Sequence, residues 1–158
     1  MTAVCLIDTS IFVEILDVPM KAQRHLEILQ QVEQRICDGE SLFLPMATIL
    51  ETGNHIGQNG DGGKRRACAE RFVQQVEAAL AGRSPFKAIS FLQEDEMRAW
   101  LLEFPAHAMS GSGLGDLSII HDWQRLCSLN PARRVYIWSA DRHLAAFDQA
   151  PQLRSTAR

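Results

Sequence analysis

Three short apolar runs stand out along the chain, and a polar or proline residue closes each of them. They are AVCLID at the start of the sequence, SLFLP near position 45 and VYIWS near position 137. Continuous apolar runs of this length are typical of strands that are buried on both faces of a sheet. We therefore predict three buried strands. The segment FKAISF near Ile89 could supply another, although its alternation is too short to decide the matter.

Longer segments between these runs repeat their apolar residues with helical spacing. They predict helices over Lys21–Cys37, Met46–Ile56, Lys64–Ala81, Gln93–Phe104 and Asp116–Cys127. Because strands alternate with helices, we expect an α/β fold with a central, mainly parallel sheet that is flanked by helices. Two glycine-rich segments, Gly57–Gly63 and Ser110–Gly115, predict flexible surface loops rather than domain linkers.

Length and composition fit one compact domain. Of the 158 residues, 46% are hydrophobic and 22% are charged, which are ordinary values for a globular protein. We assign residues 1–150 to a single domain and residues 151–158 to a polar C-terminal tail. No apolar run is long enough for a bilayer, and the N-terminal segment carries Asp8 and Glu14 instead of a basic leader. We therefore expect a cytoplasmic protein without a membrane span.

Charge and cysteine content limit the kinds of function. A net charge of −3 argues against a broad phosphate-binding surface, because nonspecific nucleic-acid binding normally requires a basic face. Any role on nucleic acid would depend on a local site. The only compact basic run, Lys64–Arg66, either starts a solvated helix or steers RNA toward such a site. The four cysteines lack zinc-site spacing, and we expect reduced, mostly buried thiols.

Two acidic residues directly follow predicted strands. Asp8 ends the first strand and opens a turn into a helix, and Asp141 follows VYIWSA before a short helix. In parallel α/β sheets, sites form at the carboxyl ends of the strands. Taken alone, each residue is more often a helix N-cap or a turn residue.

Two further acids occupy inward positions of predicted helices. Asp116 heads a helix whose apolar stripe includes Ile119 and Trp123, so its side chain should point toward the sheet. Glu51 shares a mostly inward helix face with Leu50, and an acid there requires a partner. Taken alone, Asp116 could be an N-cap and Glu51 a solvated or salt-bridged residue.

Considered together, the four acids predict a metal site. Like charges in a partly dry cleft raise each other's pKa, and a hard divalent cation removes that conflict. Carboxylate oxygens are the ligands that Mg²⁺ and Mn²⁺ prefer. A water activated in such a site can attack phosphorus, so a phosphodiester can be cut without a catalytic His or Ser.

Four motifs resemble those of the PIN-domain ribonucleases, in the same order and over nearly the whole chain. They are LIDTSIF, P-x₅-E with Pro45 and Glu51, GDLSII, and SAD. The resemblance implies a PIN-like nuclease domain over residues 1–150, with Ser10 and Ser139 as polar helpers. It also implies an acidic quartet that binds Mg²⁺ or Mn²⁺ and carries the catalysis: Asp8, Glu51, Asp116 and Asp141.

Many small PIN proteins are toxins of VapC-type toxin–antitoxin pairs, and this chain is similar to them in size and layout. The resemblance implies an endoribonuclease with RNA as substrate, a cognate antitoxin as partner and a homodimeric assembly. The chain departs from the usual pattern at Ser139, where Thr is commoner, at His121–Trp123, and in the insertion Gly57–Gly63. Arg142, next to Asp141, either contacts substrate or neutralises the acids.

Other classes share parts of this pattern. A haloacid-dehalogenase-like enzyme also has an Asp after its first strand, but it requires a second Asp where this chain has Ser10. A receiver domain requires an acidic pair before its phosphorylated Asp and a late Lys, and no Lys follows Lys87. The non-enzymatic alternative is a catalytically silent PIN-fold module that binds RNA or protein.

Overall fold

A five-stranded sheet organises the chain in the computed structural model, which describes residues 2–89 and 93–152. Its strands are β1 (Val4–Ile7), β2 (Ser41–Leu44), β3 (Phe86–Ala88), β4 (Val135–Trp138) and β5 (Asp148–Gln149). Their spatial order is β3-β2-β1-β4-β5; the first four run parallel, and β5 pairs antiparallel with β4.

Helices flank this sheet and bury its two faces. They are α1 (Thr9–Ile15), α2 (His25–Cys37), α3 (Met46–Gly57), α4 (Gly62–Leu80), α5 (Glu94–Met109), α6 (Leu114–Leu129) and α7 (Arg142–Ala145). Because side chains alternate along a strand, Cys5 and Ile7 pack with α1, α2 and α4, whereas Val4 and Leu6 pack with α6 and α7. The predicted α/β fold with a mainly parallel sheet and flanking helices is confirmed.

The order of the strands reverses at β1. The chain places β2 and β3 on one side of β1 and then returns to place β4 on the other side. The backbone N–H of Asp8, directly after β1, donates to the carbonyl oxygen of Trp138 at the end of β4 over 3.1 Å. Open α/β sheets bind their ligands where strand order reverses. The fold therefore brings Asp8 and the segment after Trp138 to a position that suits a site.

One buried carboxylate shifts the start of α2. The sequence predicts a helix from Lys21, but α2 begins at His25. The carboxylate of Glu14 accepts backbone N–H groups from Gln23 over 2.9 Å and from Arg24 over 2.8 Å. These bonds hold both residues in a loop conformation, so the helix begins later than the apolar spacing predicts.

The predicted glycine-rich loops are shorter than expected, because helices begin or end inside them. Gly57 is the last residue of α3. Asp61 caps α4 by accepting the N–H of Lys64 over 2.9 Å, which places Gly62 in the first turn of that helix. In the second segment, α6 already begins at Leu114.

The helix α5 runs through Pro105 to Met109, so the predicted end at Phe104 is wrong. Proline removes one backbone donor from a helix and leaves a carbonyl group without its partner. No side chain of α5 is buried, and the helix packs chiefly on α6. Water can therefore bond the carbonyl group that loses its partner.

Three further predictions concern a fourth strand, the C-terminal tail and the lack of a membrane span. The strand suggested by FKAISF is present as β3, and Ser90 and Phe91 of that segment lie outside the described residues. The last six residues of the predicted tail, 153–158, also lie outside them. Within the described residues, no helix combines the length and apolar character needed to cross a membrane.

Candidate functional site

The four predicted acids line one cavity of about 530 Å³. Asp8 follows β1, Glu51 lies on α3, Asp116 lies in the first turn of α6, and Asp141 directly precedes α7. Four elements that are far apart in the sequence thus bring a carboxylate to the same place.

Two serine hydroxyls orient Asp8. Ser10 Oγ donates to Asp8 Oδ2 over 2.9 Å, and Ser139 Oγ donates to the same oxygen over 2.7 Å. Asp8 Oδ2 also accepts the N–H of Ser10 over 3.4 Å, as the N-cap of α1. All hydrogen bonds of this carboxylate to described residues use Oδ2, so Oδ1 keeps its acceptor capacity.

The same serines fix the turn between β4 and α7. Ser10 Oγ accepts the N–H of Ala140 over 2.9 Å, and Ser139 Oγ accepts the N–H of Asp141 over 3.0 Å. The Oδ1 atom of Asp141 in turn caps α7. The N-cap role that the sequence left open is thus present for both Asp8 and Asp141, in addition to their place in the cavity.

Thr9 and Gly115 determine where the carboxylate of Glu51 lies. Thr9 Oγ1 donates to Glu51 Oε2 over 3.0 Å. A β-carbon on Gly115 would overlap Glu51 Oε1 and would lie 3.1 Å from the carboxyl carbon. Glycine therefore leaves space for this carboxylate beside α6. Neither Thr9 nor Gly115 was predicted as a site residue; their signal in the sequence is their position directly after Asp8 and directly before Asp116.

Asp116 is not the N-cap of its helix, so that alternative is wrong. The N-cap of α6 is Gly113, and Asp116 lies three positions further on, within the first turn of the helix. Beyond it, Ile119 and Ile120 are buried, as the apolar stripe predicted, and Leu117 is buried as well. The stripe therefore positions the helix so that the Asp116 side chain reaches the cavity.

Burial and mutual repulsion raise the pKa of two of the acids. Desolvation is the main cause for both Glu51 and Asp116. The charge of Asp8 raises both pKa values further; Asp116 acts in the same direction on Glu51, and Asp141 does so on Asp116. The Thr9 hydroxyl partly opposes the shift at Glu51. These charges act on one another, so a shared cation would relieve the repulsion.

The carboxylates lie around the cavity without closing on one point. Within residues 2–89 and 93–152, no three Asp, Glu, His or Cys side chains are grouped closely enough to hold one metal ion. One oxygen each of Asp8, Glu51 and Asp141 forms a hydrogen bond that stabilises local structure. The all-oxygen donor set fits a hard cation such as Mg²⁺ or Mn²⁺, and the carboxylates would have to rotate to surround it.

The basic residues that line the cavity are not the ones that the sequence singled out. Arg142 is exposed at the start of α7 and does not line the cavity. The run Lys64–Arg66 begins α4, where Arg66 pairs with Glu70 on the protein surface. Instead, Lys21 and Arg24 line the cavity. The apolar spacing predicts a regular helix from Lys21, so it gives no sign that both residues lie in a loop at the cavity.

Comparison of the sequence with models of known protein families finds no match, and comparison with curated proteins finds no significant similarity. The resemblance described above therefore rests on its four motifs.

Proposed function

We propose that the chain is a cytoplasmic, metal-dependent endoribonuclease with a PIN-like fold, and that it is the toxin of a toxin–antitoxin pair. One observation carries this proposal: four acids from four elements share a cavity where the strand order reverses. Helix capping accounts for the position of Asp8 and Asp141. It does not account for the desolvated Glu51 in the same cavity, and at Asp116 desolvation outweighs the hydrogen bond to the backbone of the N-cap Gly113.

The four acids would hold one or two divalent cations, Mg²⁺ or Mn²⁺, through the oxygens that structural hydrogen bonds leave free. When bound, such a cation neutralises the carboxylates and activates water for attack on phosphorus. Thr9 orients Glu51, and Ser10 and Ser139 orient Asp8. Fixed orientation of this kind lowers the entropic cost of bringing the reacting groups together.

The two serines serve as orienting groups rather than nucleophiles. Each hydroxyl donates its proton to Asp8, and each oxygen accepts a backbone N–H from the turn before α7. A nucleophilic serine instead requires a base that takes up its proton as the oxygen attacks. The proposed reaction therefore depends on the acids and on water.

A PIN-fold module that binds RNA or protein without cutting it is the second candidate. The observation that favours it is the lack of three converging ligands among the described residues. Both candidates predict binding at the cavity, and only the enzyme predicts metal-dependent cleavage.

The deciding experiment measures cleavage of single-stranded RNA by the purified chain with Mg²⁺ or Mn²⁺, and its loss on addition of EDTA. Asp8→Asn and Asp116→Asn should each abolish cleavage and leave circular dichroism and thermal unfolding unchanged, because Asn keeps an oxygen that can accept hydrogen bonds. Asp95→Asn, an exposed acid in the first turn of α5, is the matched control and should cleave normally.

The outcomes separate the candidates. Normal cleavage by both Asp8→Asn and Asp116→Asn would exclude the proposed enzyme. Binding of RNA by the wild-type chain without metal-dependent cleavage would establish the silent module instead.

The toxin role and the assembly require their own measurements. Induced expression of the wild-type chain should arrest growth, and Asp8→Asn should not. A small adjoining reading frame for a DNA-binding antitoxin would support the pair, and equal arrest by the inactive variant would contradict it. We also propose a homodimer, which light scattering would detect as twice the chain mass of 17.7 kDa.

A further inference from the structure

Two cations from the loop before α2 line the same cavity as the four acids. They are Lys21 and Arg24. Arg24 forms an ion pair with Glu27, which shares its charge. Lys21 is exposed, and among the described residues no carboxylate forms an ion pair with it. The Lys21 ammonium group is therefore available to an anion that enters the cavity.

The buried carboxylate of Glu14 fixes one end of this loop. Glu14 is only 9% exposed and accepts the backbone N–H groups of Gln23 and Arg24. Hydrogen bonds to a charged acceptor are stronger than those between neutral groups. Glu14 thus holds the backbone next to Lys21, and its own charge is satisfied by these bonds.

Side chains from α4 and the turn before it fix the other end. Asn59 Nδ2 donates to the carbonyl oxygen of Pro19 over 3.1 Å. The guanidinium group of Arg71 donates to the carbonyl oxygens of Leu16 and Asp17 over 3.1 and 3.2 Å. Because the loop is held at both ends, Lys21 is presented to the cavity with little backbone entropy left to lose on binding.

Lys21 is not among the principal charges that act on Glu51 or on Asp116. The principal charges on Glu51 are those of Asp8, Asp116 and His55, and the loop cations are not among them. The same holds for Asp116, where the principal charges come from the other acids and from a histidine. Glu14 also lines the cavity beside the loop, and its carboxylate is bonded to the backbone N–H groups of Gln23 and Arg24. The cavity therefore combines the four acids, which would hold a cation, with a basic position at Lys21.

We propose that Lys21, assisted by Arg24, binds a phosphate of the RNA strand next to the phosphate that is cut. This inference rests on the proposed function and deepens it, because it requires a substrate with at least one phosphate beyond the scissile one. A single strand carries a phosphate at every nucleotide, so it can contact both parts of the cavity at once. The compact ammonium charge of lysine suits a phosphate group.

The test compares Lys21→Gln with Lys64→Gln, which removes an exposed lysine that does not line the cavity. For each variant, kcat/KM is measured on a dinucleotide, which has one phosphate, and on a longer single strand. Lys21→Gln should lower kcat/KM several-fold on the longer strand, chiefly through KM, and should leave the dinucleotide unaffected. Lys64→Gln should change neither.

Salt dependence supplies a second measurement. With Asp8→Asn as the background, so that the strand is not cut, log K for binding the longer strand is measured against log[salt]. Loss of one phosphate contact should reduce the magnitude of this slope by about 0.7. Lys64→Gln in the same background should keep the full slope.

The outcomes distinguish this inference from the proposed function. An equal loss on both substrates would overturn the inference, since Lys21 would then act at the scissile phosphate or on the fold. Unchanged cleavage of the longer strand by Lys21→Gln would also overturn it, while the cleavage itself would leave the proposed function standing. Absence of cleavage by the wild-type chain would contradict the proposed function directly.

Discussion

The Oε1 atom of Glu51 occupies the space that a β-carbon on Gly115 would need. Where α3 and α6 meet, the carboxylate of Glu51 on α3 fills the space beside Gly115 on α6, which has no side chain. The overlap concerns the end of a flexible side chain rather than the backbone. A larger residue at this position can therefore be accommodated, provided that the carboxylate moves.

We predict that Gly115→Ala reduces RNA cleavage by about 10- to 100-fold, the range expected when a group that orients a metal ligand is lost. Thermal unfolding should not occur at a lower temperature, because Ala is favoured over Gly inside a helix by about 1 kcal/mol. Cleavage rates and thermal melting measure both effects.

Gly57→Ala is the matched control for that variant. Gly57 ends the helix that carries Glu51, and a β-carbon there would meet open space. Cleavage should stay at the wild-type rate in this control. Wild-type cleavage by Gly115→Ala as well would show that the position of Glu51 does not matter for the reaction.

Ser139 links two of the acids, and its removal should weaken the site without dismantling it. Ser139→Ala removes a donor to Asp8 and an acceptor for the N–H of Asp141, while Ser10 still holds Asp8. We expect cleavage to fall by about tenfold and the free energy of unfolding by about 1 kcal/mol. Initial rates at several metal concentrations and urea denaturation measure these changes.

Ser139→Thr provides the corresponding rescue, because it restores a hydroxyl at the same position. This variant should cleave close to the wild-type rate. If Ser139→Thr were as impaired as Ser139→Ala, or if Ser139→Ala were fully active, the hydroxyl would not be the orienting group.

Asp122 gives the folded chain a pH dependence that does not involve the cavity. Its side chain is 13% exposed between α5 and α6. Desolvation raises its pKa from 3.8 to about 6; Arg125 and His121 oppose this shift, and Glu96 of α5 adds to it. The Nη2 atom of Arg125 lies 3.6 Å from Asp122 Oδ1, and its Nη1 atom lies 3.7 Å from Glu96 Oε1. One guanidinium group is therefore shared by two carboxylates.

The direction of the pH effect follows from that pKa. Between pH 3.8 and about 6 the folded chain retains a proton that the unfolded chain has lost. The retained proton therefore stabilises the folded chain fully below pH 3.8, and this stabilisation is lost as the pH rises through about 6. Asp122→Asn should remove this decline, which is on the order of 2–3 kcal/mol.

Urea denaturation across this pH range measures the free energy of unfolding. Asp95→Asn, which alters an exposed acid of α5, should retain the wild-type decline. An Asp122→Asn variant whose stability still declined as in the wild type would contradict the assignment of this pH dependence to Asp122.

The fold was predictable where the sequence pattern is local. Each residue of β1 is fully buried, as the unbroken apolar run AVCLID predicts. Prediction failed where contacts between distant residues decide the outcome. The carboxylate of Glu14, for example, moves the start of α2 to a later residue than the apolar spacing predicts. The strand β5 was not predicted for another reason, because its two residues are too few to form a recognisable pattern.

The same distinction applies to the candidate site. The strand-end positions of Asp8 and Asp141 follow from local patterns, and all four acids line one cavity. The helix face predicted for Glu51 is wrong, because Leu50 on that face is 61% exposed and the buried residues of α3 are Thr48, Thr52 and Ile56. The overlap of Gly115 with Glu51 depends on how two helices pack. Likewise, the place of Lys21 depends on the path of a loop that other parts of the chain hold, and neither relationship leaves a periodic signal.

The pairing of β1 with β4 also determines when the site can form during synthesis. The hydrogen bond between Ser139 and Asp8 joins residues 131 positions apart. A nascent chain on the ribosome exposes Asp8 first and lacks its neighbour until β4 has emerged, and parallel pairing over such a separation is slow. A chain that ends before β4 would therefore lack Ser139 and Asp141, and we expect it to show none of the proposed RNA cleavage.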